Sequence, residues 1–204
     1  MSQADAGGFS EIYGDGICDW MSNKNRKEMI QFTIGVIKDN QILPEPGSID
    51  QGKIKILSPS AHNSESEKII QELLGEDYLV VGGDIASIQP KNDFENYYRG
   101  DAIALPFGSG EFSAIYDRAG AAWHLANKGK KFKDKIKLKR LFKEYARVLS
   151  ANGVVIVDGG TYVEIVNILG TFFKFKEFER PKRYSNKKDN INSPLSTIYI
   201  FRKK

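Results

Sequence analysis

Short apolar runs alternate with amphipathic stretches along most of this chain. "KIKILS" (53–58), "DYLVVGGDI" (77–85), "FSAIYDR" (112–118) and "VVIVDGG" (154–160) are runs of strand length, mostly apolar and bounded by polar or small residues. The stretch after "KIKILS" switches to helical spacing, with Ile69, Ile70, Leu73 and Leu74 on one stripe. Ser64 followed by Glu67 three residues later predicts a capping box at its start. The best-patterned helix is predicted around 135–150, where Leu138, Leu141, Phe142, Tyr145, Val148 and Leu149 share one face. Asn152-Gly153 is predicted to end it, since both tolerate the left-handed conformation of a helix C-terminus. Tyr162, Ile165, Val166, Leu169, Phe172 and Phe173 outline one more helix. "FKFKEFER" (173–180) and "STIYIFRK" (196–203) alternate and are expected to pair antiparallel at a sheet edge. Residues 86–96 contain Pro90, show little periodicity and are short for a crossover helix.

Ahead of this alternation lies a different pattern. Residues 1–8 are small, polar and glycine-bearing, and read as a disordered tail. Residues 9–48 read as a helical extension and linker, with "RKEMIQFTIGVIKDN" (26–40) the clearest helix and "LPEPGS" (43–48) the break. Residues 49–204 then form the α/β domain. The extension carries Tyr13, Trp20 and Phe32 and is expected to fold over the ligand rim as a lid.

Strand–helix alternation predicts a mostly parallel sheet covered by helices on both faces, a Rossmann-like α/β architecture. Right-handed crossovers place the strand C-termini along one rim, where ligands bind.

Composition narrows the function classes. A length of 204 residues, 41% hydrophobic and 27% charged, suits a globular domain with one sizeable core. Nine basic residues fall between Lys128 and Lys143, and five between Arg180 and Lys188. No aromatic-basic motif accompanies them, so they read as a solvated helix face and loop and not as a nucleic-acid surface. Cys18 is the only cysteine, the N-terminus lacks a basic-then-apolar leader, and no run is long enough to span a membrane, which together predict a cytoplasmic protein. His62 and His124 are the two histidines and lie far apart in sequence, so no metal site is expected.

Three acids fall where strands are predicted to end. Asp84 follows Ser60 by 24 positions, close to the spacing at which an acid reaches ribose hydroxyls in dinucleotide folds. Asp101 precedes the strand at 112–118, and Asp117 lies at that strand's end. The Gly-x-Gly-x-x-Gly expected of a nicotinamide-linked dehydrogenase after the first strand is missing.

"GGDIAS", "GDAIALPFGSGEFSAIYDRAGAAWHL" and "FKEYARVLSANGVVIVDGG", in that order, resemble a class I S-adenosylmethionine-dependent methyltransferase, over roughly residues 52–204. The likeness is to the small-molecule branch with an acid-Ala-x-x-Leu-Pro-Phe segment and an Arg-Val-Leu-x-x-Gly-Gly segment. The resemblance implies a seven-stranded sheet whose last strand is antiparallel. It implies S-adenosylmethionine as cofactor, with Asp84 at its ribose, Asp101 and Ala102 at its adenine, and Ile85 among the cofactor-binding residues. Asp117, Arg118 and Ala119 would line the site near the sulfonium. The chain departs from the family at the first turn: Ser58 stands at an acid's position, and Ser60, His62 and Ser64 stand at glycine positions. Glycines there let the backbone approach the cofactor's amino-acid end.

Two readings follow. In one, the chain methylates a small-molecule acceptor, with His124 and Asp117 as candidate bases and Tyr13, Trp20 and Trp123 as candidate pocket walls. In the other, it is a catalytically inactive relative that binds a ligand or a protein.

Overall fold

The computed structural model describes residues 23–45, 52–59, 61, 64–84, 94–118, 120–122, 125, 132–158, 163–179 and 197–204. In chain order these form α1 (Asn23–Asp39), β1 (Ile54–Pro59), α2 (Glu65–Leu74), β2 (Tyr78–Asp84) and β3 (Tyr97–Arg99). There follow β4 (Phe112–Arg118), α3 (Phe132–Val148), β5 (Leu149–Asp158), α4 (Val163–Leu169), β6 (Phe173–Glu179) and β7 (Thr197–Lys203).

The seven strands form one sheet in the order β3-β2-β1-β4-β5-β7-β6. The first five are parallel to one another, and β7 runs antiparallel to both β5 and β6. The chain builds outward from β1 to β3, then returns to the other side of β1 with β4. That reversal opens a crevice at the C-terminal ends of β1 and β4, the usual ligand position in such sheets.

Alternate strand residues serve two cores. Ile54 and Ile56 of β1, Val80 of β2, Ala114 and Tyr116 of β4 and Ile156 of β5 pack with Ile30, Ile34 and Ile37 of α1 and with Ile70 and Leu74 of α2. Leu57 of β1, Ile115 of β4 and Val155 and Val157 of β5 pack with Leu138, Leu141, Phe142 and Tyr145 of α3 and with Ile165 and Leu169 of α4. The period of two along the strands thus assigns α1 and α2 to one face and α3 and α4 to the other.

Helix α1 is part of this architecture. Its Ile30, Ile34 and Ile37 are buried in the same cluster as β1 and β2. Its Thr33 donates from Oγ1 to Asp158 Oδ2 at 2.9 Å, and Tyr116 donates to the same oxygen at 2.6 Å. Asp158, fully buried at the end of β5, therefore joins α1 to the sheet. Residues 9–22, and with them Tyr13 and Trp20, lie outside the described residues.

Three local expectations give way. Helix α3 ends at Val148 and runs directly into β5. Asn152 and Gly153 lie inside β5, where the pairing with β4 jumps from Phe112↔Leu149 to Ala114↔Val154. The positive-φ glycines among the described residues are Gly75 and Gly110, so Gly153 is not a left-handed cap. A Cβ there would meet Leu149 Cδ2 at 2.9 Å, so close packing at the bulge explains the glycine. The capping box is also absent: Ser64 has φ 63 and makes no side-chain cap hydrogen bond. Helix α4 stops at Leu169, and Phe173 instead opens β6, where it pairs with Lys203. Finally, the three-residue β3 escapes the sequence pattern because a strand this short shows no period.

Candidate active site

The ends of β2, β1 and β4 lie side by side at the C-terminal edge of the sheet. At the end of β1, Ser58 donates from Oγ to Glu67 Oε1 at 2.6 Å. Glu67 comes from the first turn of α2 and is only 3% exposed. Its other oxygen, Oε2, and the hydroxyl of Ser64 are both buried without a hydrogen-bond partner. Burial raises the Glu67 carboxyl to about 7, although the Ser58 hydrogen bond and the Arg118 charge pull the other way. Arg118, at the end of β4, reaches across to α2 and places Nη1 3.5 Å from Ser66 Oγ.

At the end of β2, Asp84 is half-buried, and its carbonyl accepts from Gly100 N–H at 3.0 Å, which ties β2 to the turn after β3. Tyr97 and Tyr98 of β3 pair beside Gly82 and Gly83. The Tyr98 ring lies directly over Gly83, where an added Cβ would fall 1.9 Å from Tyr98 Cε1. Only glycine admits that ring. Burial first, and then the charges of Asp84, Asp101 and Asp117 along with Tyr97, hold the Tyr98 hydroxyl in its neutral form. The charges of all three rim acids thus bear on Tyr98. Sequence reading misses it; the "GG" before Asp84 is the available signal that a ring or ligand approaches the backbone there.

The "DAIALPF" segment is a loop with an exposed Asp101, whose Oδ1 accepts from Ile103 N–H at 3.1 Å, and a half-buried Ala102. The loop is fastened from α3. Arg147 donates to the carbonyls of Phe107 at 2.7 Å and Leu105 at 3.1 Å. Glu144 accepts from Leu105 N–H at 2.8 Å and pairs with Arg147 at 2.6 Å. Phe107 stacks edge-on against both Tyr98 and Phe112. The arginine of the "RVL" segment thus holds the "LPF" segment, a physical reason for the two to occur together.

Asp117 faces the α3 side and is 1% exposed. Its Oδ2 accepts from Ala122 N–H at 3.0 Å and from Tyr145 at 2.8 Å, while Oδ1 is buried and unpartnered. Burial raises its carboxyl to about 6 against these hydrogen bonds. It fixes the turn after β4 to helix α3.

The structure thus brings Ser58, Asp84, Asp101, Ala102, Asp117 and Arg118 to one rim, at adjacent strand ends and the loop beyond β3. Ser60, His62, Ile85, Ala119, Trp123 and His124 lie outside the described residues. Among the described residues no His, Cys, Asp and Glu group fits a metal ion, and no helix is long and apolar enough to cross a membrane.

No family model and no curated protein matches the chain in sequence. Solved structures do match in fold. A Burkholderia thailandensis 1,6-didemethyltoxoflavin-N1-methyltransferase, solved with 1,6-didemethyltoxoflavin and S-adenosylhomocysteine, is 12% identical with a TM-score of 0.62, over 98% of this chain and 87% of that one. A Methanosarcina mazei S-adenosylmethionine-dependent methyltransferase is 16% identical with a TM-score of 0.52, over 75% of this chain and 93% of that one. The [4+2]-cyclase SpnF is 10% identical with a TM-score of 0.53, over 85% of this chain and 78% of that one. With its strand order, antiparallel closing pair and rim of acids, this chain has the fold of the class I S-adenosylmethionine-dependent methyltransferases.

Proposed function

We propose that the chain is an S-adenosylmethionine-dependent methyltransferase acting on a small molecule. The observation that carries this reading is the juxtaposition of Asp84 at the end of β2 with Asp101 and Ala102 beyond β3, the strand paired in parallel with β2. A carboxylate at Asp84 accepts from both hydroxyls of a ribose cis-diol. Asp101, exposed on a loop clamped by Arg147 and Glu144, offers an acceptor to an exocyclic amine, and Ala102 offers a backbone N–H beside it.

The residues present fit the cofactor on one further count. Buried polar atoms at Glu67 and Ser64 stand unpartnered at the start of α2, as expected where a polar ligand group completes the hydrogen bonding. When bound, S-adenosylmethionine supplies a methyl group on a positively charged sulfur, which an acceptor nucleophile displaces in line. The protein's part is to hold and orient both reactants, and such positioning supplies much of the rate in displacements of this kind. Asp117, buried against Tyr145 and Ala122, sets the position of the turn that borders the crevice. His124 comes shortly after Ala122, whose N–H that carboxylate holds. It is the side chain we assign to proton removal where the acceptor carries a proton.

A second reading, a ligand-binding protein without methyl transfer, is favoured by the serines and histidine that replace glycine after β1 and by the cyclase that shares the fold. Calorimetry with S-adenosylmethionine and S-adenosylhomocysteine, on the wild type and Asp84→Ala, tests the cofactor. Binding that is lost in the variant supports the proposal, and no binding at millimolar ligand rejects it. Transfer of a labelled methyl group to a panel of small acceptors then separates enzyme from binding protein.

A further inference from the structure

We propose that Glu67 is the carboxylate that receives the ligand's ammonium group, a role that Ser58 at the end of β1 cannot fill. This rests on the reading above, in which the ligand ends in an α-amino acid. Ser58 stands where the crevice meets β1, and it carries no charge. Its hydroxyl instead donates to Glu67, nine residues downstream and on a different element, at 2.6 Å. That bond uses Oε1 and leaves Oε2 buried with no partner. The Ser64 hydroxyl, in the same helical entry, is buried and equally without one.

The surroundings keep Glu67 in place. A Cβ on Gly82 would lie 3.3 Å from Glu67 Cγ, 3.2 Å from Phe94 and 3.1 Å from Ala61, so the stem of the Glu67 side chain packs over Gly82 on β2. A carboxylate in such a place is expensive unless a cation completes it. Arg118 bonds Ser66 and acts on Glu67 through its charge, without a hydrogen bond to Oε2. An ammonium group has three donors, enough for Glu67 Oε2 and Ser64 Oγ together. The ligand's own carboxylate then falls to the N–H groups of the first turn of α2.

Calorimetry of the full chain with two probes tests the assignment. S-adenosylhomocysteine carries the amino-acid end, whereas 5′-methylthioadenosine has the same adenosine and thioether without it. Glu67→Gln should weaken S-adenosylhomocysteine by at least about tenfold, the size of a lost charge-assisted hydrogen bond, and leave 5′-methylthioadenosine unchanged. Ser58→Asp combined with Glu67→Gln should recover much of the loss, because the acid returns from the strand side. A Glu67→Gln variant that binds S-adenosylhomocysteine as well as the wild type overturns this inference and leaves the methyltransferase reading standing. Equal losses for both probes also overturn it, since they mark a structural role. A wild type that binds neither probe brings down the methyltransferase reading itself.

Discussion

Tyr145 donates its hydroxyl to Asp117 Oδ2 at 2.8 Å, so one buried hydrogen bond joins helix α3 to the end of strand β4. Both residues are almost wholly buried, at 0% and 1% exposed. Tyr145→Phe removes the donor while keeping the ring. It should cost about 1–3 kcal/mol, the range for a hydrogen bond to a buried carboxylate, and urea denaturation would show it as a lower midpoint at unchanged slope. The Asp117 carboxyl, already raised to about 6, should rise further, because a bond that favours its charged form has gone. A midpoint equal to the wild type's would mean that this bond contributes nothing.

The pH dependence of stability follows from Glu67. Its carboxyl is raised from 4.5 to about 7 by burial, so the folded protein holds a proton that the unfolded chain has released. The contribution favouring the fold is complete below pH 4.5 and is lost as pH rises to about 7. The loss is on the order of 3 kcal/mol at most, and the raised carboxyl of Asp117 adds a loss of the same sign. Glu67→Gln cannot ionise. Its melting temperature relative to the wild type should therefore climb between about pH 5 and pH 8, and a constant difference across that range would refute the assignment.

Ser64 occupies the left-handed region at φ 63, ψ 12 with its hydroxyl buried and unpartnered. Glycine takes that conformation without the Cβ clash. Ser64→Gly should stabilise the free protein by about 1 kcal/mol, measured as a rise in denaturation midpoint. A destabilised variant would show that the serine is packed better than its missing hydrogen bond suggests.

Removal of residues 1–42 strips α1, which buries Ile30, Ile34 and Ile37 and supplies the Thr33 bond to Asp158. The truncated chain should lose cooperative thermal unfolding, since each of those isoleucines alone is worth about 2–5 kcal/mol against alanine. Retention of a sharp melting transition in the truncated protein would place α1 outside the folding unit, as the sequence pattern suggests.

Periodicity along the chain is enough to identify most strands, the helices α2 and α3, and the antiparallel closing pair. Each is long enough to display its period, and its apolar residues are those found in the two cores. Asp84, Asp101 and Asp117 are legible because strand C-termini gather at one rim in any parallel sheet. What the acids do there is not legible. Asp117 turns toward Tyr145, 28 residues away, and Ser58 pairs with Glu67 across a strand–helix junction where local spacing suggests a cap. Arg147 binds the carbonyl of Phe107, 40 residues earlier, and no local pattern reveals that partner. Local chemistry determined the elements, because backbone geometry repeats over a few residues. Only the tertiary structure decided the partners of the buried polar groups, because burial makes an unpaired charge costly and draws its partner from wherever the packed chain brings one.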